Sequence, residues 1–168
     1  MRVLISAYAC EPHRGSEPGV GWEWAMAAAE RHQVWLVTSD RHAEAVRAGL
    51  AEHRPEGLEA VLFLEEEVGP VPDPRVPGRA HLRYWRWQRA ARALFTRLHE
   101  EHRFDLGHHL TWGVDWQSTA LAAVPGLPFV WGPVGGSTPT SLRLARWLGA
   151  RGLATDLARE VVTRPARR

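Results

Sequence analysis

The chain of 168 residues has no lysine, a single cysteine and no long apolar run, and the last two features each exclude a class of protein. Because Cys10 is the only cysteine, the sequence can form neither an internal disulfide nor a zinc site built on cysteines. The apolar run that starts at Val3 reaches charge at Glu11, which is too early for a signal peptide, and no run reaches membrane-spanning length. We therefore expect a cytoplasmic protein.

The charge balance gives no strong overall attraction to nucleic acid. The 21 basic residues, all arginine, stand against 19 acidic residues, and the formal net charge is +2. Apolar residues make up 45 % of the chain, so it is globular and long enough for a good-sized core. We expect a single domain over residues 1–168 and no nucleic-acid partner.

Five apolar segments alternate with helical patterns along the chain. The predicted strands are residues 3–8, 33–39, 58–64, 104–110 and 128–131. The predicted helices are residues 18–31, 41–53, 79–102, 116–123 and 140–159, the last with a break near Gly149 and Gly152, and residues 65–78 form a proline-rich loop. This alternation predicts an α/β fold, a Rossmann-like doubly wound parallel sheet with helices on both faces. In the common strand order 3-2-1-4-5, ligands bind between the carboxyl ends of the first and fourth strands.

A glycine-rich segment, EPHRGSEPGVGWEW at residues 11–24, joins the first strand to the first helix. Gly19 and Gly21 allow the backbone to turn sharply and to approach a ligand closely. Glu17 and the proline after it suit the first turn of a helix, where free amides form an anion site. The alternative is a strand-to-helix turn whose glycines only shape the backbone.

The same segment does not match the dinucleotide-binding fingerprint. Gly19 and Gly21 fit its first half, but Trp24 occupies the position of the third glycine. A nicotinamide cofactor is therefore not expected.

Two histidines and a second glycine-rich loop follow the fourth and fifth predicted strands. His108 and His109 are adjacent on a strand, so their side chains point to opposite faces of the sheet. Only one of them can face the predicted ligand-binding crevice between the first and fourth strands. A neutral imidazole there can bind a hydroxyl or a phosphate, whereas the alternative is a structural histidine. No third ligand has a useful spacing for a metal. The second loop starts at Gly132 on the same edge of the sheet.

The predicted helix Arg79–His102 has an apolar arc and an arginine arc. One interpretation is a helix packed on the sheet with a solvated arginine face. The other is peripheral attachment to anionic lipid at the inner face of the membrane, which Trp85 within the arginine arc favours.

Three motifs in order resemble the N-terminal domain of family-4 glycosyltransferases, the retaining enzymes with the two-domain GT-B fold. They are YACEP followed after three residues by SEPGVGWEWA, then FDLGHHLTWG, then PFVWGPVGG. The resemblance covers residues 2–136. It implies transfer of a sugar from a nucleotide-sugar donor, the co-substrate, to an acceptor, with no other cofactor and no bound metal.

The resemblance also implies roles for individual residues. His109 is the catalytic candidate, in contact with the donor sugar or phosphate, and the loop from Gly19 to Gly21 approaches the donor diphosphate. The residues implied in donor-phosphate or acceptor binding are Glu17, Gly19, Val20, Gly21, Thr111, Gly132, Gly135 and Gly136.

The family's donor-binding second domain, with its two glutamates separated by seven residues, has no counterpart in this sequence. We expect the acceptor-binding half of an enzyme, truncated before the last strand of the N-terminal domain and inactive without a donor-binding second domain. A separate chain or a lost downstream region would supply that domain, and the expected protein partners are a second-domain chain or a second copy of this chain through self-association. The alternatives are a non-catalytic carbohydrate- or partner-binding module and a remnant of a longer enzyme.

Overall fold

A computed structural model describes residues 1–65, 78–135 and 141–163. The chain divides into two compact units, the first made of Met1–Trp112 and Thr119–Pro133, the second of Gly113–Ser118 and Val134–Arg168. The predicted proline-rich loop, apart from residues 65 and 78, lies outside the described residues.

The first unit contains a five-stranded, all-parallel sheet. Its strands are β1 (Arg2–Ala7), β2 (Gln33–Ser39), β3 (Leu58–Leu64), β4 (Leu106–His109) and β5 (Phe129–Trp131). Their order is β3-β2-β1-β4-β5, which confirms the predicted Rossmann-like arrangement. The central strand β1 pairs with β2 on one side and β4 on the other, so the switch point lies between β1 and β4.

Helices cover both faces of this sheet. They are α1 (Ser16–Ala29), α2 (Ala43–Glu52) and α3 (Arg79–His102). Side chains of β1 alternate between two cores: Val3 and Ile5 pack with α1 and α2, and Leu4 packs with α3. The alternation fixes which strand residues face which helix.

The predicted helix over residues 116–123 is wrong in its first half. Only a short 3₁₀ turn, Ala120–Ala123, is helical. The Thr119 hydroxyl accepts a hydrogen bond from the amide of Leu121, so the turn starts there. It ends at Val124, which is extended because Pro125 follows it.

The inner face of α3 is as apolar as predicted, with one polar exception. Tyr84, Trp87, Ala91, Phe95 and Leu98 are buried against the sheet. Gln88 is buried among them, and its Oε1 accepts a hydrogen bond of 2.6 Å from the amide of Ala120. This bond ties α3 to the 3₁₀ turn on the same face.

The second unit contains a parallel bridge between Val114 and Gly135, a 3₁₀ turn (Leu142–Leu144) and the helix α4 (Ala145–Thr163). The predicted break occurs at Gly149, whose φ of 64° is left-handed, and no break occurs at Gly152. Across the described ranges of both units, no helix is long and apolar enough to cross a membrane.

Candidate functional site

The segments after β1 and β4 meet at the switch point of the sheet. The amide of Ala9 donates a hydrogen bond of 3.0 Å to Oγ1 of Thr111, which is buried. Gly21 of α1 lies against the same pair, because a Cβ added there would overlap the Ala9 carbonyl oxygen and lie 3.1 Å from Cγ2 of Thr111. We name this corner the crevice: Ala9, Gly21 and Thr111, together with the rings of Tyr8, Tyr84 and Trp112.

Two of the glycines implied in phosphate binding, Gly19 and Gly21, lie in a helix and not in a loop. The helix α1 begins at Ser16, two residues before its predicted start, so Gly19 and Gly21 fall in its first two turns. A Cβ at Gly19 would overlap the carbonyl oxygen of Arg14. These glycines let residues 9–14 fold closely over α1; their contact with a diphosphate stays a prediction.

His109 lies beneath the crevice with both ring nitrogens engaged. Its Nδ1 is 2.9 Å from Oγ of Ser6, and its Nε2 is 2.9 Å from the hydroxyl of Tyr84. Burial lowers the pKa of His109 to about 3, and the neighbouring His108 adds to the shift. The imidazole is therefore neutral at physiological pH, and one nitrogen donates while the other accepts.

Aromatic rings line the crevice beside Thr111. The ring of Trp112 stacks on that of Tyr84, with centroids 4.8 Å apart and planes 12° apart, and Tyr8 meets both rings edge-on. Trp112 is half-buried, and its φ of 69° is unfavourable for a residue with a Cβ. Such strained backbone is typical of functional sites.

Two further residues implied by the resemblance lie on the first turns of α1. Glu17 is half-buried, and its negative charge adds to the rise that burial causes in the pKa of Tyr84. Tyr84 is thus influenced both by the charge of Glu17 and by the ring of Trp112 that stacks on it. Val20, also half-buried, follows one turn later.

The ends of β4 and β5 are joined through Gly132. The Nε2 of His108 donates a hydrogen bond of 3.1 Å to the Gly132 carbonyl oxygen, and the Gly132 amide donates one of 3.0 Å to the His109 carbonyl oxygen. His108 points to the α1 face, where its ring meets Trp24 edge-on at 5.6 Å. The two histidines thus face opposite sides of the sheet, as predicted.

The remaining glycines implied by the resemblance are Gly135 and Gly136. Gly135 belongs to the second unit, where its amide donates a hydrogen bond of 2.7 Å to the carbonyl oxygen of Gly113. Gly136 lies outside the described residues.

A separate groove of about 1000 Å³ runs along α1 on the face opposite α3. Trp24, Ala28, Leu106 and His108 contribute to its walls. It lies on the other side of the sheet from the Tyr84 and His109 side chains, so it does not belong to the crevice.

Several residues of the crevice were not predicted from the sequence as site residues. Tyr8 directly follows β1, and that position alone indicates the carboxyl edge of the sheet. Ser6 and Tyr84 reach His109 from positions 103 and 25 residues away, and no local pattern indicates these contacts.

Comparison of the sequence with protein-family models gives no match, and comparison with curated proteins gives none either. The resemblance to family-4 glycosyltransferases therefore depends on the three sequence motifs alone.

Proposed function

We propose that this chain is the acceptor-side half of a retaining glycosyltransferase, which moves a sugar from a nucleotide-sugar donor to an acceptor. The hydrogen bond from Ala9 to Thr111 carries the proposal. It joins the first motif to the second at the switch point of a parallel sheet, the position at which such folds bind ligands. Gly132, from the third motif, is tied to the same edge through His109.

The side chains around this hydrogen bond suit a carbohydrate. The half-buried ring of Trp112 offers an apolar surface with a polar N–H at its edge. The Glu17 carboxylate, whose charge helps to raise the pKa of Tyr84, can accept hydrogen bonds from sugar hydroxyls. An apolar platform beside a few polar groups is the usual composition of a small-molecule site.

In this proposal His109 acts as a positioning residue. A ring with both nitrogens hydrogen-bonded inside the protein touches the donor only if one of those bonds is exchanged. Its low pKa also keeps the ring in the neutral imidazole form near neutral pH, so it cannot serve as a general acid there. The imidazole instead holds the hydroxyl of Tyr84, and through the stacked rings it supports Trp112.

The donor-binding groups that the resemblance implies, including the paired glutamates, come in this proposal from a separate second-domain chain. The buried, neutral His109 also favours a second candidate function, a non-catalytic carbohydrate-binding module, because binding needs no proton transfer.

Titration of the ¹⁵N-labelled chain with UDP, GDP, their common sugars, and a set of methyl glycosides and disaccharides tests the proposal. The indole N–H signal of Trp112 is identified by its loss in Trp112→Phe. We expect carbohydrates to shift this signal, with Trp35→Phe as a control that leaves the shift in place. Carbohydrate binding that leaves the Trp112 signal unmoved would contradict the proposed site.

A coupled assay for released nucleoside diphosphate separates the two candidate functions. The assay is run with the second-domain chain added. Nucleoside diphosphate release that requires both a nucleotide sugar and an added carbohydrate supports the transferase. Carbohydrate binding at Trp112 that never leads to release supports the binding module.

A further inference from the structure

The outward face of α3 concentrates positive charge. From Arg79 to His99 the helix has no acidic residue. Its arginines in this stretch are Arg79, Arg83, Arg86, Arg89, Arg92 and Arg97. The whole chain has a net charge of only +2, so this face is far more basic than the molecule as a whole.

The packing of α3 fixes the direction of these side chains. Tyr84, Ala91 and Phe95 are fully buried against the sheet. At about 100° per residue, Arg86 and Arg89 lie on the opposite side of the helix, and both are exposed. Arg86, Arg89 and Arg97 therefore form an exposed stripe that faces away from the sheet.

Two large apolar side chains interrupt this stripe. Leu82 is 47 % exposed and Trp85 is 49 % exposed. The guanidinium of Arg89 lies 5.0 Å from the centre of the Trp85 ring, a cation–π distance. Apolar and cationic side chains thus share one exposed surface, which we name the α3 face: Leu82, Trp85, Arg86, Arg89 and Arg92.

We propose that the α3 face docks on an anionic lipid surface. Leu82 and Trp85 enter the boundary between headgroups and acyl chains, and the arginines contact lipid phosphates. A helix lying flat with tryptophan and leucine among cations is typical of interfacial binding. Each arginine near an anionic leaflet adds attraction, and arginine suits phosphate because its donors form a planar fork.

The apolar residues favour lipid over nucleic acid. Phosphate contacts with nucleic acid use cationic and polar groups, and exposed Leu82 has no part in them. A lipid interface removes both Leu82 and Trp85 from water and also satisfies the charges. The inference is independent of the proposed glycosyl transfer, since no crevice residue belongs to the α3 face.

Co-sedimentation with vesicles tests this inference on the full chain. The probes are phosphatidylcholine vesicles with and without a minority of phosphatidylglycerol, at low and at high salt. We expect binding that requires phosphatidylglycerol and weakens with salt. Arg86→Ala with Arg89→Ala should weaken it by about fivefold for each arginine removed.

Matched controls separate this face from charge in general. Arg31→Ala with Arg47→Ala removes one exposed arginine just after α1 and one on α2, on the other face of the sheet, and should leave vesicle binding unchanged. Trp85→Ala, which keeps every charge, should weaken binding at both salt concentrations. Circular dichroism establishes that each variant is folded.

Three outcomes would overturn the proposal. They are no binding to phosphatidylglycerol vesicles at low salt, equal effects of the two arginine pairs, and binding to DNA without binding to vesicles. The last would make a nucleic acid the partner of the α3 face.

Discussion

The hydroxyl of Tyr84 lies 2.9 Å from Nε2 of His109, and this buried pair joins α3 to the sheet. The other ring nitrogen of His109 is 2.9 Å from Oγ of Ser6 on the central strand. Three elements that are distant in sequence therefore share one imidazole. A buried polar group with partners on each side is costly to disturb, because removal of one partner leaves another unsatisfied.

Tyr84→Phe should lower the free energy of unfolding by about 1–3 kcal/mol. The substitution keeps the ring that stacks on Trp112 but leaves Nε2 of His109 without its partner. Urea denaturation measures the change. Ser6→Ala should cost a similar amount, and the double variant should cost less than the sum because both act on one ring. Strict additivity would contradict a shared network.

Stability should fall as the pH drops below about 6.5. Burial lowers the pKa of His109 from its ordinary 6.5 to about 3, so between these values the unfolded chain binds a proton that the folded chain does not. The resulting loss approaches about 1.4 kcal/mol per pH unit, or about 2 kcal/mol at pH 5. Urea denaturation at pH 7.5 and at pH 5 measures it.

His109→Gln is the test variant for this pH dependence, because an amide does not titrate. The variant should have a flatter dependence of stability on pH. His108, whose pKa burial also lowers, gives the comparison: His108→Gln should flatten it less, because that ring is only half-buried. Equal pH profiles for wild type and His109→Gln would show that the ring is not held neutral.

Gly19→Ala and Gly21→Ala should each destabilise the chain by about 2 kcal/mol or more. Each added methyl group would overlap a backbone carbonyl oxygen, of Arg14 or of Ala9, and backbone cannot move aside as a flexible side chain can. Gly15→Ala is the control, since nothing lies within 4 Å of a Cβ there and its φ of −72° suits alanine. Thermal unfolding of the three variants measures the effect. Three equal melting temperatures would contradict the observed packing of residues 9–14.

Thr111→Val should lower stability by about 1–3 kcal/mol and weaken any ligand binding in the crevice. Valine keeps the shape of threonine but cannot accept the hydrogen bond from the Ala9 amide. Thr111→Ser keeps the hydroxyl and is the control. Urea denaturation measures the loss of stability, and the Trp112 indole titration measures the loss of binding. If Thr111→Ser loses as much stability and binding as Thr111→Val, the loss comes from packing and not from the hydrogen bond.

Cys10 should not react with thiol reagents while the chain is folded. Its side chain is fully buried, and burial raises the pKa of the thiol to about 12, so almost no thiolate forms at pH 8. The rate of modification by a chromogenic disulfide reagent measures this, with the urea-unfolded chain as the comparison. Fast labelling of the native chain would show that the segment after β1 opens.

The sheet could be predicted from sequence because its strands are local apolar runs. The predicted strand 3–8 differs from Arg2–Ala7 by one residue at each end, and Gln33–Ser39 and Leu58–Leu64 match the predicted bounds. The start of α1 was placed two residues too late, because proline was assigned to the first helical position when it occupies the third.

The site was less predictable because its contacts are long-range. The position of His109 at the end of β4 follows from the strand pattern, but its burial depends on Tyr84 and Ser6. Likewise, the spacing of Gly19 and Gly21 suggested a loop near a ligand. Only the path of residues 9–14 over α1 shows that both positions have no room for a Cβ.

The position of β1 at the centre of the sheet also determines the order in which the chain can fold. Its pairing with β2 needs only the first 39 residues, whereas its pairing with β4 joins Val3 to Leu106, and the Arg2 amide donates a hydrogen bond to the carboxylate of Asp105. During synthesis one edge of β1 therefore stays open until more than a hundred residues have left the ribosome. Since such distant contacts slow folding, we expect the arrival of β4 to set the folding rate, and the half formed by β1, β2 and β3 to be the species most exposed to aggregation.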